Sequence, residues 1–458
     1  MSSLINTLST LSTPKCLALG LLVACSISTV DSVRGQSEFT TAPILYHSSK
    51  AVDRVAKMSE RLESGKLTLK RDDRHGFLAA VLRELKVPIE SQTLVFSKTS
   101  LQLRRITASR PRALYFNDDI YIGWVQGGVV VEVGAVDPQL GAVFYTIDQH
   151  ADRAIVKRDQ GECLACHATR RTQHVPGFLV RSVFAASDGQ PFYAMGTTTT
   201  DHTTPIDLRF GGWYVSGKHG AMRHRGNVIA RDDPKSPIDP DSGANVLDLA
   251  KRVDVTPYLA PTSDIIALMV LEHQTQMHNL VTRASYESRQ AAHYDKTMNR
   301  VLERPNNFVS DLTKRRVQRV GDALLSYLLF AGEYELTAQV TGNSKFAKQF
   351  AARGPHDSKG RSLREFDLRE RLFRYPCSFL IHTESFGALP TDVRDYVEEG
   401  LLDVLTGKER GDDFKHLTPQ DRQAILEILV DTKPAFRKRF AKRAPQLDES
   451  SALPADGK

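Results

Sequence analysis

The chain is poor in the residues that would staple or anchor it from outside its cores. Of 458 residues only five are cysteine and two tryptophan, too few cysteines for a disulfide-built scaffold. After the first thirty or so residues no apolar run approaches the roughly 20 needed to cross a bilayer, so the mature body is expected to carry no transmembrane span. Neither sign of charge dominates: 61 Lys and Arg face 54 Asp and Glu, a formal net charge of +7. The densest basic patches, Lys314-Arg315-Arg316 and Arg437-Lys438-Arg439, lack interleaved aromatics, and nucleic acid is not an expected partner. Walker A, G-x-S-x-G and H-E-x-x-H are missing, which leaves phosphoryl transfer, serine hydrolysis and zincin chemistry without support. The length itself predicts two or three cores.

What is present begins at the N-terminus. Lys15 is followed by CLALGLLVACSISTV, without charge until Asp31, the pattern of an export signal over residues 1–36. Val33 and Gly35 suit ordinary cleavage, whereas Leu22-Val23-Ala24-Cys25 also fits a lipobox with a lipid anchor on Cys25. Either ending places the body in the periplasm or otherwise outside the cytoplasm. Cys16 falls inside the signal, leaving Cys163, Cys166 and Cys377 in the body.

Two of these form GECLACHATR, Gly161 to Arg170. A close cysteine pair serves a redox dithiol, half of a zinc site, or covalent attachment of haem c. No second pair or H-x₃₋₅-H partner follows at zinc-finger spacing, and ATRRTQHVPG after Cys166 lacks the helical period of a thioredoxin-like unit. Cys163 and Cys166 are one helical turn apart, so both sulfurs can meet the two vinyl groups on one porphyrin edge. His167 then falls where its imidazole reaches the iron from the proximal side. Export agrees, since bacteria attach haem covalently outside the cytoplasmic membrane.

On Cys163, Leu164, Ala165, Cys166 and His167 the chain resembles a c-type cytochrome, and as a whole it is similar to large, single-CxxCH exported bacterial proteins of unassigned activity. The resemblance implies one covalent haem c, a role in one-electron transfer and a redox partner protein. It departs from the small cytochromes in placing the motif after more than 120 mature residues, and a second CxxCH, as a di-haem peroxidase would need, is missing.

The fold expected is α+β. In residues 37–150 two short helices, in VDRVAKMSERLESG and HGFLAAVLRELKV, precede an antiparallel meander built from TLVFSKTSLQ, ALYF, IYIGWV, VVVEVGAV and GAVFYTID. Residues 151–245 form the haem-attachment segment, with VPGFLVRSVF and PFYAMGTTTT as strands and GGWYVSGKHGAMRHRGN as an irregular binding loop. Helices fill residues 246–443, one from about Ser263 to Asp295, one from Lys314 to Phe330 and two near the end, the last opening at Thr418-Pro419-Gln420-Asp421. From Ala444 to Lys458 the polar composition predicts a disordered tail.

The second axial ligand decides between electron transfer and chemistry. In IIALMVLEHQTQMHNLVTRA, Met269, His273 and Met277 stand at successive i, i+4 positions, and Met277 is the preferred distal ligand with His273 as its alternative. The loop after the motif competes through Met222, with Met195, His174, His202, His219 and His224 nearby. A Met stripe is also what ordinary core packing looks like. Trp213 and Tyr214 beside Gly211-Gly212 fit either a porphyrin contact or a core, and Cys377 in FRYPCSFLI reads as a buried free thiol. An open sixth position would instead make the chain a peroxidase- or oxidase-like haem enzyme, and a haem-dependent sensor or scaffold is the third reading.

Overall fold

The computed structural model describes residues 38–231, 239–408 and 411–451. The expected export signal, with Cys16 and Cys25, lies outside them. Helices α1 (Arg54–Glu63) and α2 (Leu78–Glu84) open the chain as their periodicity requires, α1 capped by Asp53, whose carboxylate accepts from the Val55 and Ala56 amides. The β-branched runs then form β1 (Thr93–Val95), β2 (Arg112–Phe116), β3 (Ile120–Trp124), β4 (Val130–Asp137), β5 (Gly141–Asp148) and β6 (Val156–Arg158). All pair antiparallel with their chain neighbours. One strand arrives from far downstream: β9 (Trp213–Tyr214) adds to the free edge of β1, giving the order β6-β5-β4-β3-β2-β1-β9. It comes from the stretch read as irregular, because two residues are too few for a period and pairing alone defines the strand.

The sheet's two faces take different partners. Ala113, Tyr115, Ile122, Val131, Val133 and Tyr145 point with α1 and α2 into the smaller of two hydrophobic cores. On the other face Phe116, with Val95 and Trp213 from the sheet's far end, joins the larger core of the C-terminal helices. Each fully buried Phe, Leu, Ile or Val contributes about 1.5–3 kcal/mol, so the sheet is held from both sides.

The CxxCH region supplies a one-turn helix, α3 (Leu164–His167), and a two-stranded ribbon of β7 (Val180–Val183) and β8 (Thr197–Thr200). Beyond it run α4 (Ile265–Val301), α5 (Asp311–Leu328), α6 (Phe346–Ala352), α7 (Glu384–Gly387), α8 (Thr391–Leu405), α9 (Pro419–Thr432) and α10 (Pro434–Ser451). The architecture is α+β, with a seven-stranded antiparallel sheet in the N-terminal half and a mostly helical C-terminal region. The capping box expected at Thr418 is formed, its hydroxyl accepting from the Asp421 amide while Asp421 accepts from Thr418 N. That helix is not the last. Its successor α10 continues to Ser451, into the stretch read as tail, because Arg439 and Arg443 tie it to Asp395, Glu398, Glu399 and Asp403 of α8.

Candidate haem-attachment site

The motif sits where β6 leaves the sheet edge. Asp159, just past β6, donates its amide to Phe144 O on β5 at 2.8 Å, and its carboxylate accepts from Gly161 N at 2.9 Å and Cys163 N at 3.1 Å. Those bonds start the turn that becomes α3, closed by His167 N to Cys163 O at 3.0 Å. Leu164 is buried, Cys163 half-buried, and Ala165 and Cys166 exposed. Both cysteines are free thiols, Cys163 packed against the smaller core and Cys166 open to solvent. Burial, followed by Asp159, Glu132 and Glu162, pushes the Cys163 thiol up to about 12, which keeps it a thiol at neutral pH.

His167 is held from two directions. Its ring packs on Phe144, centroids 4.8 Å apart, and its Nδ1 donates to Gly177 O at 2.9 Å, while Gly177 N donates to His167 O at 2.8 Å. The Nδ1 bond fixes the tautomer and leaves Nε2 with its lone pair, the arrangement of metal-binding histidines. Burial lowers the imidazole's proton affinity, with Arg112 lowering it further and Glu132 and Asp159 opposing.

The Gly177 carbonyl is itself pinned. Asn279 on α4 accepts from Phe178 N at 2.9 Å and donates to Phe178 O at 2.7 Å, and a Cβ on Gly177 would stand 2.2 Å from Asn279 Oδ1. The Phe178 ring fills the gap left by Gly134 on β4, between Tyr121 at 4.3 Å and Phe144 at 5.7 Å, centroid to centroid. A Cβ at Gly134 would come within 2.7 Å of that ring. Gly177, Phe178, Asn279, Gly134 and Phe144 were not singled out from the sequence. The one signal available was a buried-polar stripe on α4, overshadowed by its methionines.

Met269, Met277 and Met222 are buried in the larger core, whereas Leu164, Ala168, Phe144 and Phe178 belong to the smaller one. His273 is wholly buried, its Nδ1 2.8 Å from His202 Nδ1 and its Nε2 2.8 Å from Ser378 Oγ. Both contacts are satisfied when His202 Nδ1–H donates to His273 Nδ1 and His273 Nε2–H donates to Ser378. Both ring nitrogens of His273 are thus engaged by partners. Of the loop residues, His219 Nδ1 bonds Met222 O at 2.8 Å and His224 Nδ1 accepts from Gly226 N at 3.0 Å. His174 is exposed and Met195 half-exposed. Trp213 and Tyr214 pack in the two cores, one in each, and Cys377 is a buried free thiol.

Among the described residues no three His, Cys, Asp or Glu side chains gather into a metal-ion cage, and no helix is long and apolar enough to cross a membrane. The donor set at the motif fits haem c: two free thiols on one turn and an imidazole whose Nε2 is not spent on Gly177. Comparison with protein families, curated proteins and solved structures gives no match for this chain.

Proposed function

We propose that this chain is an exported mono-haem c-type cytochrome that transfers single electrons. Cys163 and Cys166 hold the haem through thioethers and His167 Nε2 ligates its iron. The observation that carries this reading is the His167–Gly177 clasp, which spends Nδ1 on a backbone carbonyl and keeps Nε2 open to a metal. When bound, haem c supplies an iron that cycles between two oxidation states one electron apart. The chain's own residues attach it, orient the imidazole through Gly177 and Asn279, and screen one side of the ring with Phe144. A redox protein outside this chain delivers or removes the electron.

Denaturing electrophoresis of protein made with a cytochrome c maturation system tests the reading. A haem-stained band is expected, and Cys163→Ala with Cys166→Ala should abolish it; a wild-type band without haem, or with zinc instead, would overturn it. Cell fractionation should find the protein outside the cytoplasm, and labelling with a fatty-acid probe distinguishes a lipid anchor at Cys25 from soluble export.

A second reading, a haem enzyme with an open sixth position, is favoured by the engagement of both His273 nitrogens and the burial of Met277 and Met222 in the other core. Rapid cyanide binding by the unmutated haem protein would select it. Slow binding that Met277→Ala accelerates, with loss of the near-infrared sulfur-to-iron band, would make Met277 the distal ligand; the same result in Met222→Ala would move it to the loop.

A further inference from the structure

On the sheet face that carries the motif, one arrangement exceeds what the fold needs. Arg112 on β2 reaches across β3 to Glu132 on β4, Nη2 to Oε2 2.5 Å. Between them β3 places Gly123, opposite Leu114 on one side and Glu132 on the other. A Cβ there would stand 2.2 Å from Arg112 Nη2, so the missing side chain is what lets the guanidinium lie flat across the strand. Glu132 also accepts from Ser100 Oγ at 2.6 Å and Gln102 Nε2 at 3.2 Å, while Arg112 Nε is buried without a partner among the described residues.

An ion pair whose side chains are only 15 % and 12 % exposed returns little net stability, and apolar residues of the same volume often serve a fold better. A glycine inside a strand weakens it further. Location supplies the explanation that stability does not. Glu132 lies two residues from Gly134 on the same strand face, and Gly134 abuts Phe178 and Phe144, the rings that seat the His167 loop.

Resting on the haem reading above, we propose that the Arg112–Glu132 pairing holds two buried charges in balance beside the iron held by His167, so that neither charge alone shifts its reduction potential. The electron comes from an external one-electron donor and leaves to an external acceptor; no bond forms or breaks in the pair. The guanidinium favours the reduced, less positive iron and the carboxylate the oxidised one. Gly123 keeps the two charges joined, so that their fields largely cancel at the iron.

Spectroelectrochemical titration of the full-length haem protein tests this with opposite signs. Arg112→Gln should lower the potential and Glu132→Gln should raise it, each by about tenfold in the ratio of reduced to oxidised protein at a fixed poise, about 59 mV for a one-electron couple. The double variant and Arg112→Lys should stay within about twofold of wild type. Ser100→Ala removes a donor to Glu132 without burying a lone charge, and should lower the potential by about twofold even where the Gln variants fail to accumulate. Single variants that bind haem with unshifted visible bands and show no change, or shift in one common direction, would overturn the inference alone. A wild-type chain without covalent haem would overturn the reading of the motif, and this inference with it.

Discussion

His167 and His273 are both largely withdrawn from water, yet the chain treats them oppositely. His167, at the rim of the smaller core, uses one ring nitrogen on Gly177 O and leaves the other uncommitted on the turn that carries two free thiols. His273, deep in the larger core, spends both nitrogens on His202 and Ser378 and lies near-parallel to Tyr327 and Phe330, interplanar angles 2° and 15°. The contrast shows that what makes a histidine available is its partners. A lone pair kept free next to an exposed surface is functional potential, whereas a lone pair already holding a hydrogen bond is structure.

The cysteines give that comparison its largest test. Cys163→Ala with Cys166→Ala should remove covalent haem completely, whereas Cys377→Ser should leave haem staining intact and change only stability, since Cys377 is fully buried and its thiol is pushed far above the ordinary range by desolvation. Loss of staining in the Cys377 variant alone would break the division between the two regions.

Asn279→Ala should come next, because Asn279 joins the helical region to the haem loop. It orphans a buried amide and a buried carbonyl of Phe178, a cost of about 2–3 kcal/mol, read as a lower midpoint in urea. The haem protein should also bind external imidazole more readily as the His167 clasp loosens. A fall in stability with unchanged ligand binding would limit Asn279 to packing.

Acid should weaken the larger core gradually. Desolvation holds His273 down to about 3 and His224 to about 3, against 6.5 for an unperturbed imidazole. A depressed folded-state value means that the unfolded chain binds more protons between those limits. The stability these histidines contribute is therefore complete above pH 6.5 and is lost as the pH falls toward 3, at up to about 1.4 kcal/mol per pH unit for each. Urea unfolding between pH 7 and 4 should show this slope, and His273→Gln should reduce it; an unchanged slope would place the acid response in other groups. The smallest effect is expected from Gly134→Ala. Its new methyl displaces the Phe178 ring, at about 1 kcal/mol and with a slight change in the haem spectrum.

Local signals were legible wherever a physical requirement is contiguous along the chain. Two thiols one turn apart, followed by an imidazole, must be consecutive to meet one porphyrin, so the motif could be read without a structure. Helix α4 showed its period, although it runs to Val301 where about Asp295 was expected, and the Thr418-Pro419 capping box was formed as written. Pairing across distance was not legible. Strand β9 has two residues and no pattern to read, and the Phe178–Asn279 pair of hydrogen bonds joins positions 101 residues apart. The i, i+4 row of Met269, His273 and Met277 was real as a helical stripe, but spacing carries no information about which core the stripe enters.

By itself, the amino-acid sequence determined what short-range geometry imposes: the CxxCH turn, the alternating runs of the meander and the amphipathic helices around it. Only the tertiary structure decided which of the histidines keeps a free nitrogen, which glycines make room for a ring or a guanidinium, and which core each methionine enters. Those outcomes depend on desolvation and hydrogen-bond partners supplied by distant segments, and a linear pattern specifies a face of a helix or strand without specifying what will cover it.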